Sequence, residues 1–264
     1  MRDEAALLRE TFRRHATFPS RGVDGATIRE SSELTWVDSG LDTDTFNIVL
    51  GSRLSGDRVG SALEEVRAHF ASAGRPYSWW VSPGDEPEDL AQRLASAGLV
   101  AEELELAMAC RVADIRESHG VPGVAIERAR DASALSEFAR INAENWTPPD
   151  PLVEAYYVRA AERLLAVDSP LRFYVARHAG EPVSAVEIAV AGSALGVYNL
   201  STRRDHRGRG LGSAILSRSL MDVAAHTGAT TAVLQAAPAA ASMYRQLGFT
   251  ELGRIRELKP VRSV

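Results

Sequence analysis

The stretch Arg207-Gly208-Arg209-Gly210-Leu211-Gly212-Ser213 constrains this chain more than any other. Three glycines alternate with two arginines and a leucine. The stretch follows a strand-like run, Val197-Tyr198-Asn199-Leu200-Ser201-Thr202, and precedes a helical pattern. Glycine lets backbone N–H groups turn inward and lets a ligand approach without a Cβ clash. A helix N-terminus adds partial positive charge and unpaired donors. The arginines add full charge and planar donors. Together these features read as a cradle for a pyrophosphate; the alternative is a solvated basic loop. No G-x-x-x-x-G-K-[ST] occurs, so a nucleoside-triphosphatase loop is not supported. Gly208, Gly210 and Gly212 sit one residue apart, and the preceding strand opens no βαβ unit. The dinucleotide-binding fingerprint is therefore excluded as well.

What remains is Arg-x-x-Gly-x-Gly, formed by Arg207, Gly210 and Gly212. Downstream come a strand-like Thr231-Ala232-Val233-Leu234-Gln235, a helix over Ala239 to Leu247 and Gly248-Phe249, with Tyr244 four residues before Gly248. In this order the residues resemble the GNAT N-acetyltransferase superfamily, over roughly Leu171 to Leu252. The resemblance implies acetyl-CoA as cosubstrate. Arg207, Gly208, Arg209, Gly210, Leu211, Gly212 and Ser213 would hold its pyrophosphate. The backbone at Leu200, Ser201 and Thr202 would bond the pantetheine arm and the acetyl carbonyl. Tyr244 would be the general acid that protonates the leaving thiolate, a phenol being protonated at neutral pH; the alternative is a half-buried aromatic ending a helix. Many relatives have Asn seven residues before the tyrosine, and here that position is Ala237. A glutamate on the fourth strand serves as base in some relatives, where this chain has Gly196. Glu187 is the next choice, because it interrupts the apolar run Val183 to Val190. An outward-facing Glu187, with water carrying the proton, is the competing reading.

The expected fold class is α+β, a mixed and mostly antiparallel sheet flanked by helices. Strands are expected at Val124–Arg128, Leu171–His178, Val183–Val190 and Leu195–Thr202, and a helix at Gly212–His226 with an apolar stripe. Asp131 is a plausible N-cap for a helix over Ser133 to Asn142, and Leu152 to Ala166 resumes a helix. In the family this region shapes the acceptor pocket. Trp146 and Tyr156 are the substrate-binding candidates, suited to an amine by packing and cation–π attraction, or else simply packed beneath the helix.

The same order of elements occurs earlier. A strand near Phe46–Leu50 precedes a helix from Gly60 to about Ala73. A strand over Tyr77–Val81 and a helix over Asp89–Ala97 follow, ending at Gly98-Leu99. Punctuation at Glu117 to Gly123 suggests a boundary, giving a degenerate GNAT-like domain (1–119) and a catalytic domain (120–264). The first copy lacks the cradle. Its loop reads Arg53-Leu54-Ser55-Gly56-Asp57-Arg58, and no tyrosine precedes Gly98 as Tyr244 precedes Gly248. The expectation is one cofactor for the chain and a first half that serves as a packing partner.

Net charge is −5, against a large nucleic-acid footprint. No apolar run approaches the roughly 18 residues of a membrane span. A single cysteine, Cys110, excludes an intramolecular disulfide and fits a reducing, cytoplasmic compartment. The histidines lack metal-ligand spacing, so no metal is expected. The leading expectation is acetyl-CoA-dependent N-acetylation of a primary amine, that of a small molecule, by direct attack on the thioester. A non-catalytic acyl-CoA sensor or scaffold is the alternative.

Overall fold

Ala5, Leu8, Phe12 and Ala16 recur every three or four residues, so one helical face carries them all. The computed structural model, which describes residues 2–118 and 120–261, forms this helix as α1 (Arg2–Thr17). Asp3 and Glu4 lie in its first turn and Arg14 and His15 in its last, matching the helix dipole. This helix is absent from the sequence-based expectations. The first half continues with β1 (Thr27–Glu30), β2 (Thr35–Asp38), β3 (Ile48–Leu50), α2 (Arg58–Ala73), β4 (Ser78–Val81), α3 (Leu90–Ser96) and β5 (Leu99–Arg111). The second half holds β6 (Val124–Arg128), α4 (Ala132–Ala143), α5 (Pro151–Arg159), α6 (Ala161–Leu164), β7 (Leu171–His178), β8 (Glu181–Ala191) and β9 (Ala194–Thr202). It ends with α7 (Leu211–Thr227), β10 (Thr231–Ala236), α8 (Ala241–Gln246) and β11 (Thr250–Pro260). Asp131 caps α4 as expected, its carboxylate accepting from the Ala134 N–H at 2.9 Å. The single helix expected over Leu152 to Ala166 is interrupted at Ala160 into α5 and α6.

All these strands join one mixed sheet in the order β1-β2-β3-β4-β11-β5-β10-β9-β8-β7-β6. Neighbours are antiparallel except β3–β4 and β9–β10, which are parallel and stand at equivalent places in the two halves. The two halves meet in a seam within this one sheet. β5, the last strand of the first half, pairs with β10 of the second. β11, the last strand of the second half, pairs with β4 of the first. β5 and β11 then pair with each other along Leu99 to Ala109 and Thr250 to Pro260. Each half thus lends its final strand to the other. The stretch near Glu117 to Gly123 separates the halves in sequence (His119 lies outside the described residues), yet the sheet runs through.

Residues of β8 alternate between two cores, as the period of a strand requires. Ala185 and Ala189 face one core with Phe12 and Ala16 of α1, Phe138 of α4 and Tyr157 of α5. Val186 and Ile188 face the other, with Ile215, Leu216 and Leu220 of α7. The first half therefore also covers a face of the second-half sheet, through α1. Trp79 is fully buried in a third cluster. Trp80 points the opposite way and meets Phe12 edge to face, with ring centroids 5.7 Å apart. Among the described residues, no helix is long and apolar enough to cross a membrane.

Candidate active site

The sheet opens between β9 and β10. Their parallel register runs from Ala194 opposite Thr231 to Val197 opposite Leu234 and stops there. Beyond it, β9 bulges: Glu187 faces Tyr198 and Ala185 faces Ser201, so Asn199 and Leu200 together oppose Val186. Asn199 takes a left-handed φ of 53°. The bulge turns the β9 backbone away from β10, which stays paired to β5 through Ala236. The N–H and C=O groups of Tyr198 to Thr202 on that edge have no strand beside them. On β10, the buried Gln235 Nε2 has no hydrogen-bond partner among the described residues. An amide-bearing chain fits such a gap, because both strand edges and this side chain need partners.

The cradle lies at the end of the gap. Gly208 and Gly210 have φ of 73° and 78°, a region disfavoured for residues with a Cβ. Open space, with no atom within 4 Å, surrounds a Cβ built on Gly208, so backbone conformation and not crowding demands that glycine. Gly212 is different. A Cβ there would lie 3.3 Å from Met243 Sδ and 3.7 Å from Thr202 Oγ1, so glycine lets α7 approach α8 and β9. Gly210 is the N-cap of α7 and no side chain caps the helix. The Ala214 N–H returns to Gly210 O at 3.0 Å, leaving the N–H groups of the first turn directed at the loop. Arg207 Nε donates to Thr202 O at 2.9 Å, tying the loop to the end of β9, and Arg209 donates to Asp205 O at 2.9 Å. The residues present fit a pyrophosphate. Gly210→Val and Arg209→Glu are each expected to weaken acetyl-CoA binding at least tenfold, about 1.4 kcal/mol. Unchanged affinity by calorimetry in a folded variant would place the cofactor elsewhere.

The equivalent place in the first half is closed. Past the short β3–β4 pair, Glu86 N–H donates to Ser52 O at 2.9 Å and Leu54 N–H to Glu86 O at 3.1 Å. Trp79 Nε1 donates to Ser52 Oγ at 3.1 Å beneath them. Arg58 is held by Glu33 at 3.1 Å, and Arg93 lies over the loop, donating to Gly56 O at 3.4 Å. The groups that could hold a phosphate are already engaged.

Four elements converge beside the open gap. Glu187 of β8 is wholly buried. Its Oε1 lies 2.7 Å from His15 Nδ1 of α1. Its Oε2 accepts from Asn199 Nδ2 at 3.2 Å and from the Tyr157 hydroxyl at 3.5 Å. Asn199 Nδ2 also donates to the Tyr157 oxygen at 2.7 Å. Burial, then the Glu187 charge, raises the Tyr157 pKa well above the ordinary phenol value. Glu187 thus faces inward, which corrects the reading of an outward-facing carboxylate, and it has no surface through which to exchange a proton directly. His15 was not anticipated, since α1 itself was not. Its only sequence signal is its place one turn beyond Thr11 beside the apolar stripe.

The remaining candidates separate. Ser201 Oγ donates to Asn142 Oδ1 at 2.8 Å and accepts from Asn145 Nδ2 at 2.7 Å, so it fixes the segment after α4 against β9. The Thr202 hydroxyl meets Ser184 Oγ at 2.9 Å, and Leu200 is half-buried. Trp146 is 42% exposed. Tyr156 is not: it is buried, its ring stacked on Phe46 of the first half at 3.7 Å, which removes it from the acceptor surface. Tyr244 is buried in the α7 core, edge-on to Phe249 at 6.0 Å. Burial and, secondarily, the charge of Glu105 raise its pKa, so it keeps its proton.

A parallel strand pair that parts beside an uncapped helix and a glycine–arginine loop defines the class. Residues 169–251 match the family model described as an acetyltransferase (GNAT) domain. The fold extends to both halves in solved structures. A GCN5-related N-acetyltransferase from Kribbella flavida is 20% identical with a TM-score of 0.73, each chain covered to 96%. A tandem GNAT protein from the clavulanic acid biosynthesis pathway is 13% identical with a TM-score of 0.64, covering 98% of this chain and 94% of that one. A conserved protein of unknown function from Staphylococcus epidermidis is 15% identical with a TM-score of 0.64, covering 95% and 99%. Among curated proteins, none matches the sequence significantly. Residues 169–251 thus carry a GNAT acetyltransferase domain, and the chain as a whole has the tandem GNAT fold.

Proposed function

We propose that this protein transfers the acetyl group of acetyl-CoA to a primary amine of a small molecule, by direct attack of the amine on the thioester. The carrying observation is the β9–β10 gap, which opens onto the Arg207–Ser213 cradle in the second half and is hydrogen-bonded shut in the first. Acetyl-CoA supplies the activated acyl group. The loop N–H groups and arginines bind the pyrophosphate. The free edge of β9 at Leu200 to Thr202 aligns the pantetheine arm and offers backbone donors to the oxyanion formed on attack. Tyr244 donates a proton to the sulfur as the C–S bond breaks. The acceptor enters on the face that carries Trp146, where an aromatic surface suits a cation before it is deprotonated. The first half is a degenerate copy without a cofactor site.

Incubation with acetyl-CoA and a panel of small amines tests this reading, with each amine followed by mass spectrometry. One amine is expected to gain a single acetyl group while free thiol is released. Calorimetry on the intact chain is expected to give one acetyl-CoA per chain. Tight binding with no acetylated amine would support a sensor or scaffold instead. A stoichiometry of two would sink the degenerate-copy reading.

A further inference from the structure

We propose that the general base for acetyl transfer is His15, supplied to the second-half site by helix α1 of the first half and oriented there by Glu187; this rests on the acetyl-transfer reading above. The position is the first observation. The His15 ring stacks on Tyr198 at 4.2 Å, with planes 5° apart. Tyr198 is the first residue of β9 beyond the last β9–β10 pair, so the imidazole stands where the strands part. The second is orientation. All three groups that meet the Glu187 carboxyl are donors or able to donate, so the carboxylate accepts from Nδ1–H of His15. This leaves the lone pair on Nε2. That nitrogen has no hydrogen-bond partner among the described residues, and the side chain keeps 14% of its surface exposed while Glu187 keeps none. A carboxylate that fixes tautomer and ring angle while the far nitrogen handles the proton is a dyad suited to general base catalysis.

The seat of α1 gives a third, independent observation. Gly196 of β9 faces α1, and a Cβ built there would lie 2.5 Å from Thr11 Cβ and 2.6 Å from the Tyr198 ring. Any side chain at Gly196 would displace the helix. Thr11 Oγ1 also bonds the Tyr198 hydroxyl at 3.0 Å, and Phe12 stacks on the same ring at 6.0 Å. One turn of α1 is thus keyed to β9 closely enough to fix where His15 lies. The titratable groups that face the imidazole are Glu187 from β8, Tyr198 from β9 and, through Glu187, Tyr157 from α5.

The step balances. The amine nitrogen bonds the acetyl carbon, and His15 Nε2 takes the N–H proton. The C–S bond breaks with its electron pair on sulfur, which takes the proton of Tyr244. Imidazolium then returns a proton, through water, to the tyrosinate. The products are the amide and the free thiol, with no other reactant consumed.

The test measures kcat/KM against pH with acetyl-CoA and the best amine of the panel. His15→Gln is expected to lower kcat/KM about 10²-fold and to abolish the acidic limb of the profile. Acetyl-CoA affinity should stay within about twofold, since the cradle is untouched. Glu187→Gln should shift that limb and lower the rate less. Imidazole added to His15→Ala should restore part of the rate, which a purely structural residue would not show. A His15→Gln enzyme with the wild-type profile overturns the proposal. Nitrogen-15 NMR of the wild-type His15 ring needs no variant to fold. Its neutral form is expected to carry the proton on Nδ1, and a proton on Nε2 overturns the assignment. Failure of the underlying reading looks different: wild-type protein then binds acetyl-CoA but acetylates no amine, which overturns both.

Discussion

The fragment 120–264 expressed without residues 1–119 is expected to aggregate and to show no cooperative melting transition. The reason is the seam. Removing β5 takes away the strand that pairs with β10 on one side and β11 on the other. Two long unpaired edges result, and such edges recruit other chains. Removing α1 exposes the face of β8 and β9 that Phe12 and Ala16 cover and Val233 of β10 and Ile255 of β11 beside Leu8, and each large apolar side chain contributes about 1.5–3 kcal/mol by burial. Size-exclusion chromatography and thermal denaturation check this. A soluble, monomeric and fully active fragment would remove any role for the first half, in packing or in catalysis.

Tyr244→Phe is expected to lower kcat about 10²-fold with acetyl-CoA affinity nearly unchanged, the signature of a lost general acid. The phenol sits in an apolar core, and its raised pKa keeps it protonated across the working range of the enzyme. The ring packs equally well without its hydroxyl, so the variant isolates the proton. Steady-state kinetics beside calorimetry separate the two parameters. Full activity would make Tyr244 a packing residue that closes the α7 core against Phe249.

The sequence alone determined what depends on local chemistry. Gly208 and Gly210 were legible because their left-handed backbone admits little but glycine. Asp131 was legible as a cap because its carboxylate reaches the Ala134 N–H three residues on. β6 and β7 were legible to the residue because turn and capping residues bound their apolar runs. The difference between Arg53 to Arg58 and Arg207 to Gly212 is written in the sequence, though the hydrogen bonds of Ser52 and Leu54 with Glu86 were not legible there.

Tertiary structure alone decided the rest. Leu99–Arg111 is rich in Glu, Leu and Ala, residues that favour helix in isolation, and it becomes a strand because β10 and β11 stand ready on both sides. Those partners lie more than a hundred residues away, beyond the reach of any local pattern. Tyr156 could serve either an acceptor or a core until Phe46 arrived to stack on it. Glu187 read as a lone carboxylate in an apolar strand. Its partner, His15, is 172 residues distant and meets it only because Gly196 lets α1 settle onto β9. Backbone conformation is set by each residue and its neighbours, whereas the burial of a charge is satisfied by whatever the fold brings beside it.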